Sequence, residues 1–228
     1  MAKFMSLAEA VAAHVRDGDT VAMEGFTHLI PFAAGHEVIR QGRKHLTLIR
    51  MTPDLIYDQL IGMGCADKLV FSWGGNPGVG STHRIRDAVE NAWPNQLAIE
   101  EHSHAAMANA YEAGAANLPF AMLRGYIGVD LPKVNDRIKS ITCPYTGEKL
   151  ATVPAIRPDV GIIHALRADR EGRPVLGGRS QGPQYPRRCG SHAQVSICGW
   201  LVPMDAESRW RVRLGCDKPA CWRFCDCI

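Results

Sequence analysis

The sequence predicts an α/β protein with a mostly parallel open sheet and helices on both faces. Short apolar runs of strand length recur at residues 20–23, 46–49, 68–73, 97–99 and 160–164. Between them lie stretches with helical spacing of apolar residues, and the connections are short and rich in Gly, Pro and polar residues. That βαβα order calls for crossover helices and strands covered on both faces.

The elements follow in order. Ser6-Leu7-Ala8-Glu9 is a capping box ahead of a helix closed by Asp17-Gly18. Residues 20–23 are a buried strand leading to Glu24-Gly25-Phe26-Thr27-His28, where Gly25 permits a tight backbone. Pro31 opens a helix that carries Val38 and Ile39 and ends near Gly42. Residues 46–49 are a strand, 53–60 a helix ending at Gly62 or Gly64, and 68–73 another strand. A glycine-rich loop at 74–81 then precedes a basic helix start, His83-Arg84-Ile85-Arg86. Residues 121–123 read as a further strand of the series, and 125–132 as a loop with no strong period. Residues 138–142 and 150–153 flank Cys143-Pro144-Tyr145-Thr146-Gly147-Glu148 as a hairpin with a long loop. Residues 160–164 form the last convincing strand.

The stretch from Leu97 to Phe120 is central. Leu97 and Ile99 alternate with polar neighbours up to Glu100-Glu101-His102-Ser103-His104, after which Ala105, Met107, Ala110, Tyr111 and Ala115 follow helical spacing. Ser103 is the expected N-cap. In an open α/β sheet, ligands bind beyond the C-terminal strand ends, and a helix N-terminus there offers free N–H groups. Glu100 to His104 are therefore expected to crowd into a site.

Composition narrows the class. With 228 residues the chain can form one large domain or two small ones, and a net charge of +3 makes no electrostatic case for nucleic acid. No apolar run approaches membrane-span length and no signal-peptide core opens the chain, so a cytoplasmic protein is expected. Cys65 and Cys143 stand alone in the main body and no CxxC pair occurs, which argues against structural zinc. The loop at 74–81 matches neither a P-loop nor a dinucleotide fingerprint. It does suit the close approach of a bulky ligand to backbone. Neither cysteine has an evident base, and no Gly-x-Ser-x-Gly elbow is present. His102 and His104 lack a third metal ligand, and Arg84 and Arg86 suit either an anionic group or a solvated helix face.

Four segments stand out together: Asp17-Gly18-Asp19-Thr20-Val21-Ala22-Met23-Glu24-Gly25-Phe26, Asn76-Pro77-Gly78-Val79, Glu100-Glu101-His102-Ser103-His104 through Gly114 to Leu118-Pro119-Phe120, and Pro158-Asp159-Val160-Gly161-Ile162-Ile163-His164-Ala165. In this order and spacing they resemble the alpha subunit of family I coenzyme A transferases, nearest the glutaconate and 3-oxoacid type. The resemblance implies a CoA-transferase-like fold and assembly with a beta subunit. It also implies transfer of CoA from an acyl-CoA to a free carboxylate, through a glutamate nucleophile on that beta subunit. The CoA thioester is then a substrate, with no permanently bound cofactor, metal, nucleic acid or membrane partner. This chain would supply half the site. His104 would be an oxyanion donor or base, and Gly25, Phe26, Asn76, Gly78, Ser81, Arg84 and Glu101 would bind substrate. Two positions depart from the family pattern: Glu24 replaces the first glycine of a usual Gly-Gly-Phe, and His104 stands where many members carry glutamine. Relatives on the same scaffold that cleave ring ketones keep a CoA-thioester-dependent hydrolase or lyase as the alternative, and a non-catalytic small-molecule-binding module is a third reading.

Beyond residue 178 periodicity vanishes and Trp200, Trp210 and Trp222 stand among Arg and Cys. Residues 1–178 read as the transferase-type domain, and 179–228 as an atypical tail of the kind an out-of-frame translation would make.

Overall fold

The computed structural model describes residues 4–24, 30–75, 80–165, 167–168, 174–175, 198–203 and 213–215. The chain divides into two compact units, residues 1–44 with 159–228, and residues 45–158.

The first unit opens with β1 (Phe4–Met5), α1 (Leu7–His14), β2 (Thr20–Glu24) and α2 (Phe32–Arg40). The capping box forms as the sequence implies. Ser6 Oγ accepts the Glu9 N–H at 3.1 Å, and the Glu9 carboxylate accepts the Ser6 N–H at 3.0 Å. Val11 on α1, Val15 just after it, and Val21 and Met23 on β2 are all buried.

The second unit holds β3 (Leu46–Ile49), α3 (Leu55–Gly62), β4 (Ala66–Phe71), α4 (His83–Glu90), β5 (Ala98–Glu101) and α5 (His104–Ala115). It continues through β6 (Phe120–Leu123), α6 (Leu131–Val134), β7 (Lys139–Thr142) and β8 (Lys149–Pro154). Strands β3, β4 and β5 pair in parallel, with Val70 opposite Glu100 and Phe71 opposite Glu101. Strand β6 corrects the expected series: it leaves the parallel set and pairs antiparallel with β8, which pairs with β7 in a separate three-stranded sheet. Short apolar runs do not encode the direction of their partner; here the hairpin β7–β8 supplies the pairing edge.

Helix α5 packs Ala106, Ala110 and Ala113 against Ala121, Ile138, Ala151 and Val153. Of the residues expected on the buried face, Met107 and Ala110 are buried, whereas Ala105 is exposed and its neighbour Ala106 is buried in its place. Small side chains let the backbone approach closely. The Ile156 N–H donates to the Ala110 carbonyl at 2.9 Å, and a Cβ on Gly114 would lie 2.0 Å from the Ile156 oxygen. No residue other than glycine fits there.

The chain then returns to the first unit with β9 (Val160–Ala165), β10 (Arg167–Ala168), β11 (Pro174–Val175), β12 (Cys198–Pro203) and β13 (Arg213–Gly215). Strand β9 pairs in parallel with β2, and Asp159 Oδ2 accepts the Thr20 N–H at 2.8 Å at the shared entrance of the two strands. Strand β12 runs antiparallel to β9 and to β13. Apart from β12 and β13, the stretch after residue 178 lies outside the described residues.

Candidate active site at the ends of β4 and β5

Strands β4 and β5 end side by side. Their pairing continues one step past Glu101, where the His102 N–H donates to the Phe71 carbonyl at 2.8 Å. That brings the residues that follow each strand, Ser72 and the 102–104 turn, to the same edge. Ser103 then caps α5, accepting the Ala106 N–H on its Oγ at 3.2 Å, and its own N–H donates to the Tyr126 hydroxyl at 2.7 Å. Tyr126 belongs to the aperiodic 125–132 loop, so this loop is an anchor of the turn.

The polar residues of the turn separate into a buried set and an exposed one. Glu100 accepts from Lys68 Nζ at 2.6 Å and from His102 Nε2 at 2.8 Å. Burial pushes the Glu100 carboxyl up, but the hydrogen bonds from His102 and Lys68 and their charges outweigh it, lowering the group to about 2. His102 is 5 % exposed, and its Nδ1 has no partner among the described residues. Glu100 and His102 are thus committed to each other and to Lys68, a structural arrangement that the sequence-level crowding of five polar residues does not reveal.

His104 is different. It is the first residue of α5, it is exposed, and its Nδ1 lies 3.0 Å from Ser72 Oγ. Ser72 Oγ in turn donates to the Met51 carbonyl at 2.5 Å, and that same carbonyl accepts the N–H groups of Ser72 and Trp73 at 3.1 Å each. Ser72 is the residue that sequence reading misses: it sits at the end of an apolar run, 32 positions from His104. Its only signal is a lone hydroxyl just past a strand end.

Glu101 is exposed, and its carbonyl accepts from Asn135 Nδ2 at 2.6 Å. Glu101 lines a cavity of about 310 Å³ together with Lys68, Glu100, Asn135 and Arg137. Ser81 is exposed just before α4. Arg84 stands on the packed pair α3 and α4. Its N–H and that of Ile85 donate to Asp58 Oδ1 at 2.9 Å, its guanidinium meets Asp87 at 3.2 Å, and it lies 5.0 Å over the Trp93 ring. No described contact joins Arg84 to His104. Gly25, Phe26, Asn76 and Gly78 lie outside the described residues.

Other candidate chemistry is accounted for locally. Cys65 is buried. The Cys143 thiol is lowered by a hydrogen bond from the Thr146 side chain and by the Tyr145 and Thr146 amides, all within its own hairpin loop. Among the described residues no three His, Cys, Asp or Glu side chains group to hold a metal, and no helix is long and apolar enough to cross a membrane.

A family model for coenzyme A transferase matches residues 4–177. The chain belongs to the coenzyme A transferase family. It is of the alpha type, being 68% identical over 225 residues to the alpha chain of the 3-oxoadipate CoA-transferase of Pseudomonas knackmussii, a match spanning 96% of this chain and 80% of that one. It is 33% identical over 200 residues to the alpha chain of the glutaconate CoA-transferase of Acidaminococcus fermentans, covering 79% of this chain and 62% of that one. The crystal structure of the glutaconate enzyme superposes with a TM-score of 0.70 at 32% identity, over 77% of this chain and 61% of that chain. The chain therefore spans less than two thirds of the glutaconate relative. The α/β class expected from the sequence holds, and so does the transferase family that its motifs resemble.

Proposed function

We propose that this chain is the alpha subunit of an enzyme that moves CoA from an acyl-CoA to a free carboxylate, with 3-oxoadipate or a similar 3-oxo dicarboxylate as one substrate. The observation that carries the reading is the 68% identity, across 96% of this chain, to the alpha chain of the 3-oxoadipate enzyme. A partner beta subunit supplies the glutamate nucleophile, and the CoA thioester is a substrate rather than a resident group. His104, exposed at the start of α5 beyond the paired ends of β4 and β5, faces the reacting acyl group. Ser81, Glu101 and the half-exposed Arg84 bind substrate on the second unit, and Gly25, Phe26, Asn76 and Gly78 keep the binding roles that the family resemblance implies. The transferase portion ends near residue 178. The family match stopping at 177 supports that boundary, whereas the 3-oxoadipate match runs past it; resequencing the coding region decides between an in-frame and an out-of-frame tail.

The test is to co-express the chain with a candidate beta subunit, then to incubate the purified pair with succinyl-CoA and a panel of carboxylates that includes 3-oxoadipate. Formation of the new acyl-CoA is expected. Hydrolysis or ring cleavage without exchange would replace the transferase reading with the hydrolase or lyase one, and failure to assemble would remove the two-chain reading.

A further inference from the structure

We propose that Ser72 is a positioning residue that fixes the tautomer of His104, holding Nδ1 protonated so that Nε2 faces outward as a hydrogen-bond acceptor. The inference rests on the assignment of His104 to the reacting site and decides between the two roles open to it. The argument turns on one hydrogen. Ser72 Oγ lies 2.5 Å from the Met51 carbonyl oxygen. Two oxygens that close repel each other unless a proton lies between them, and a carbonyl has none to give. The single hydroxyl hydrogen of Ser72 is therefore committed to Met51, and toward His104 the hydroxyl can only accept. At 3.0 Å the bond between them must then run from Nδ1–H to Oγ. A neutral imidazole carries one N–H, so Nε2 is left with its lone pair.

That lone pair is open: among the described residues Nε2 has no partner, and the ring is exposed at the start of α5. Two residues earlier it is Nε2 of His102 that carries a proton, because its partner is a carboxylate that can only accept. The consequence for chemistry is direct. A neutral His104 cannot donate to a developing oxyanion from Nε2; it accepts from, or takes a proton from, an O–H group such as water or a hydroxyl of the bound acyl compound. When it takes that proton the O–H bond breaks, its electron pair stays on oxygen, and the ring holds two N–H groups, Nδ1–H on Ser72 and Nε2–H on the new oxyanion. Ser72 acts through the ring and does not itself touch the reacting atoms.

The ring nitrogens report the tautomer without reference to activity. A long-range 1H–15N correlation spectrum of the full chain, with His104 assigned by the loss of its signals in His104→Gln, should show the Nδ1–H form. An Nε2–H form would overturn the proposal. Ser72→Ala should shift the ring toward the Nε2–H form and Ser72→Thr should restore it. The alanine variant keeps the local backbone, because the Ser72 and Trp73 N–H groups still hold the Met51 carbonyl. An unchanged tautomer in Ser72→Ala would overturn the role of Ser72. In the assembled transferase, Ser72→Ala should lower kcat roughly ten- to a hundredfold with little change in KM, the range seen when an outer partner that orients a ring is lost; an unchanged kcat would equally overturn it. Absence of CoA exchange by the unaltered pair would instead remove the transferase reading while leaving the tautomer result standing.

Discussion

Two strand-to-helix junctions in the second unit share a plan and differ in outcome. After β3 the chain runs through Arg50 to Asp54, which caps α3 by accepting the Ile56 N–H at 3.3 Å. After β5 it runs through His102 to Ser103, which caps α5. At the first junction everything turns inward. Arg50 is 1 % exposed, meets both oxygens of Asp54 at 3.0 Å, and stands 5.4 Å over the Tyr57 ring, whose hydroxyl donates to the Ile49 carbonyl. At the second, Glu100 and the buried His102 close a partly buried network with the more exposed Lys68, while His104 is left outside with one ring nitrogen engaged. The comparison teaches that a polar cluster past a strand end is not by itself a site. A group becomes available for chemistry when the fold satisfies one of its atoms and leaves the other both unpaired and exposed, as in His104 and not in the buried His102.

Breaking the closed junction should have the largest effect. Arg50→Ala strands a buried Asp54 carboxylate and should cost about 3–5 kcal/mol in denaturant unfolding, with activity lost only in step with folded protein. A loss below about 1 kcal/mol would mean that the pair is not buried in solution.

His104→Ala should do the reverse, leaving the unfolding midpoint nearly in place while lowering turnover of the assembled enzyme about 10²-fold or more, the range for a positioned acid or base. Unchanged turnover would take His104 out of the reaction.

Glu100→Gln should cost about 3 kcal/mol near neutral pH, the equivalent of lowering a carboxyl from 4.5 to about 2 in the folded state. The sign follows from which state binds the proton first. On acidification the unfolded chain protonates Glu100 near 4.5 while the folded chain keeps it ionised, so the contribution is complete above 4.5 and disappears as the pH falls toward 2. Unfolding titrations of the two proteins should converge over that interval; parallel curves would show that the network does not hold the carboxylate.

The smallest effect sharpens the capping comparison. Ser103→Ala should cost about 1 kcal/mol by thermal unfolding, the ordinary loss of an N-cap side chain. A much larger loss would show that the Ser103 hydroxyl holds more of the fold than the N-terminus of α5.

Much of this was legible in the linear text. The capping box at Ser6 and Glu9, the Ser103 cap, the order of strands and helices through β5, the hairpin around residues 143–148 and the family itself could all be read there. Each of these depends on residues within a few positions of one another, where period and hydrogen-bond reach are set by local backbone geometry. The direction of β6, the buried face of α5 at Ala106 rather than Ala105, the contact that requires glycine at 114, and the union of Ser72 with His104 were decided only by the tertiary structure. The physical reason is common to all four. Each depends on what stands opposite a residue across space, on a strand edge, a neighbouring backbone or a carbonyl that claims a single proton, and sequence spacing carries no record of that partner.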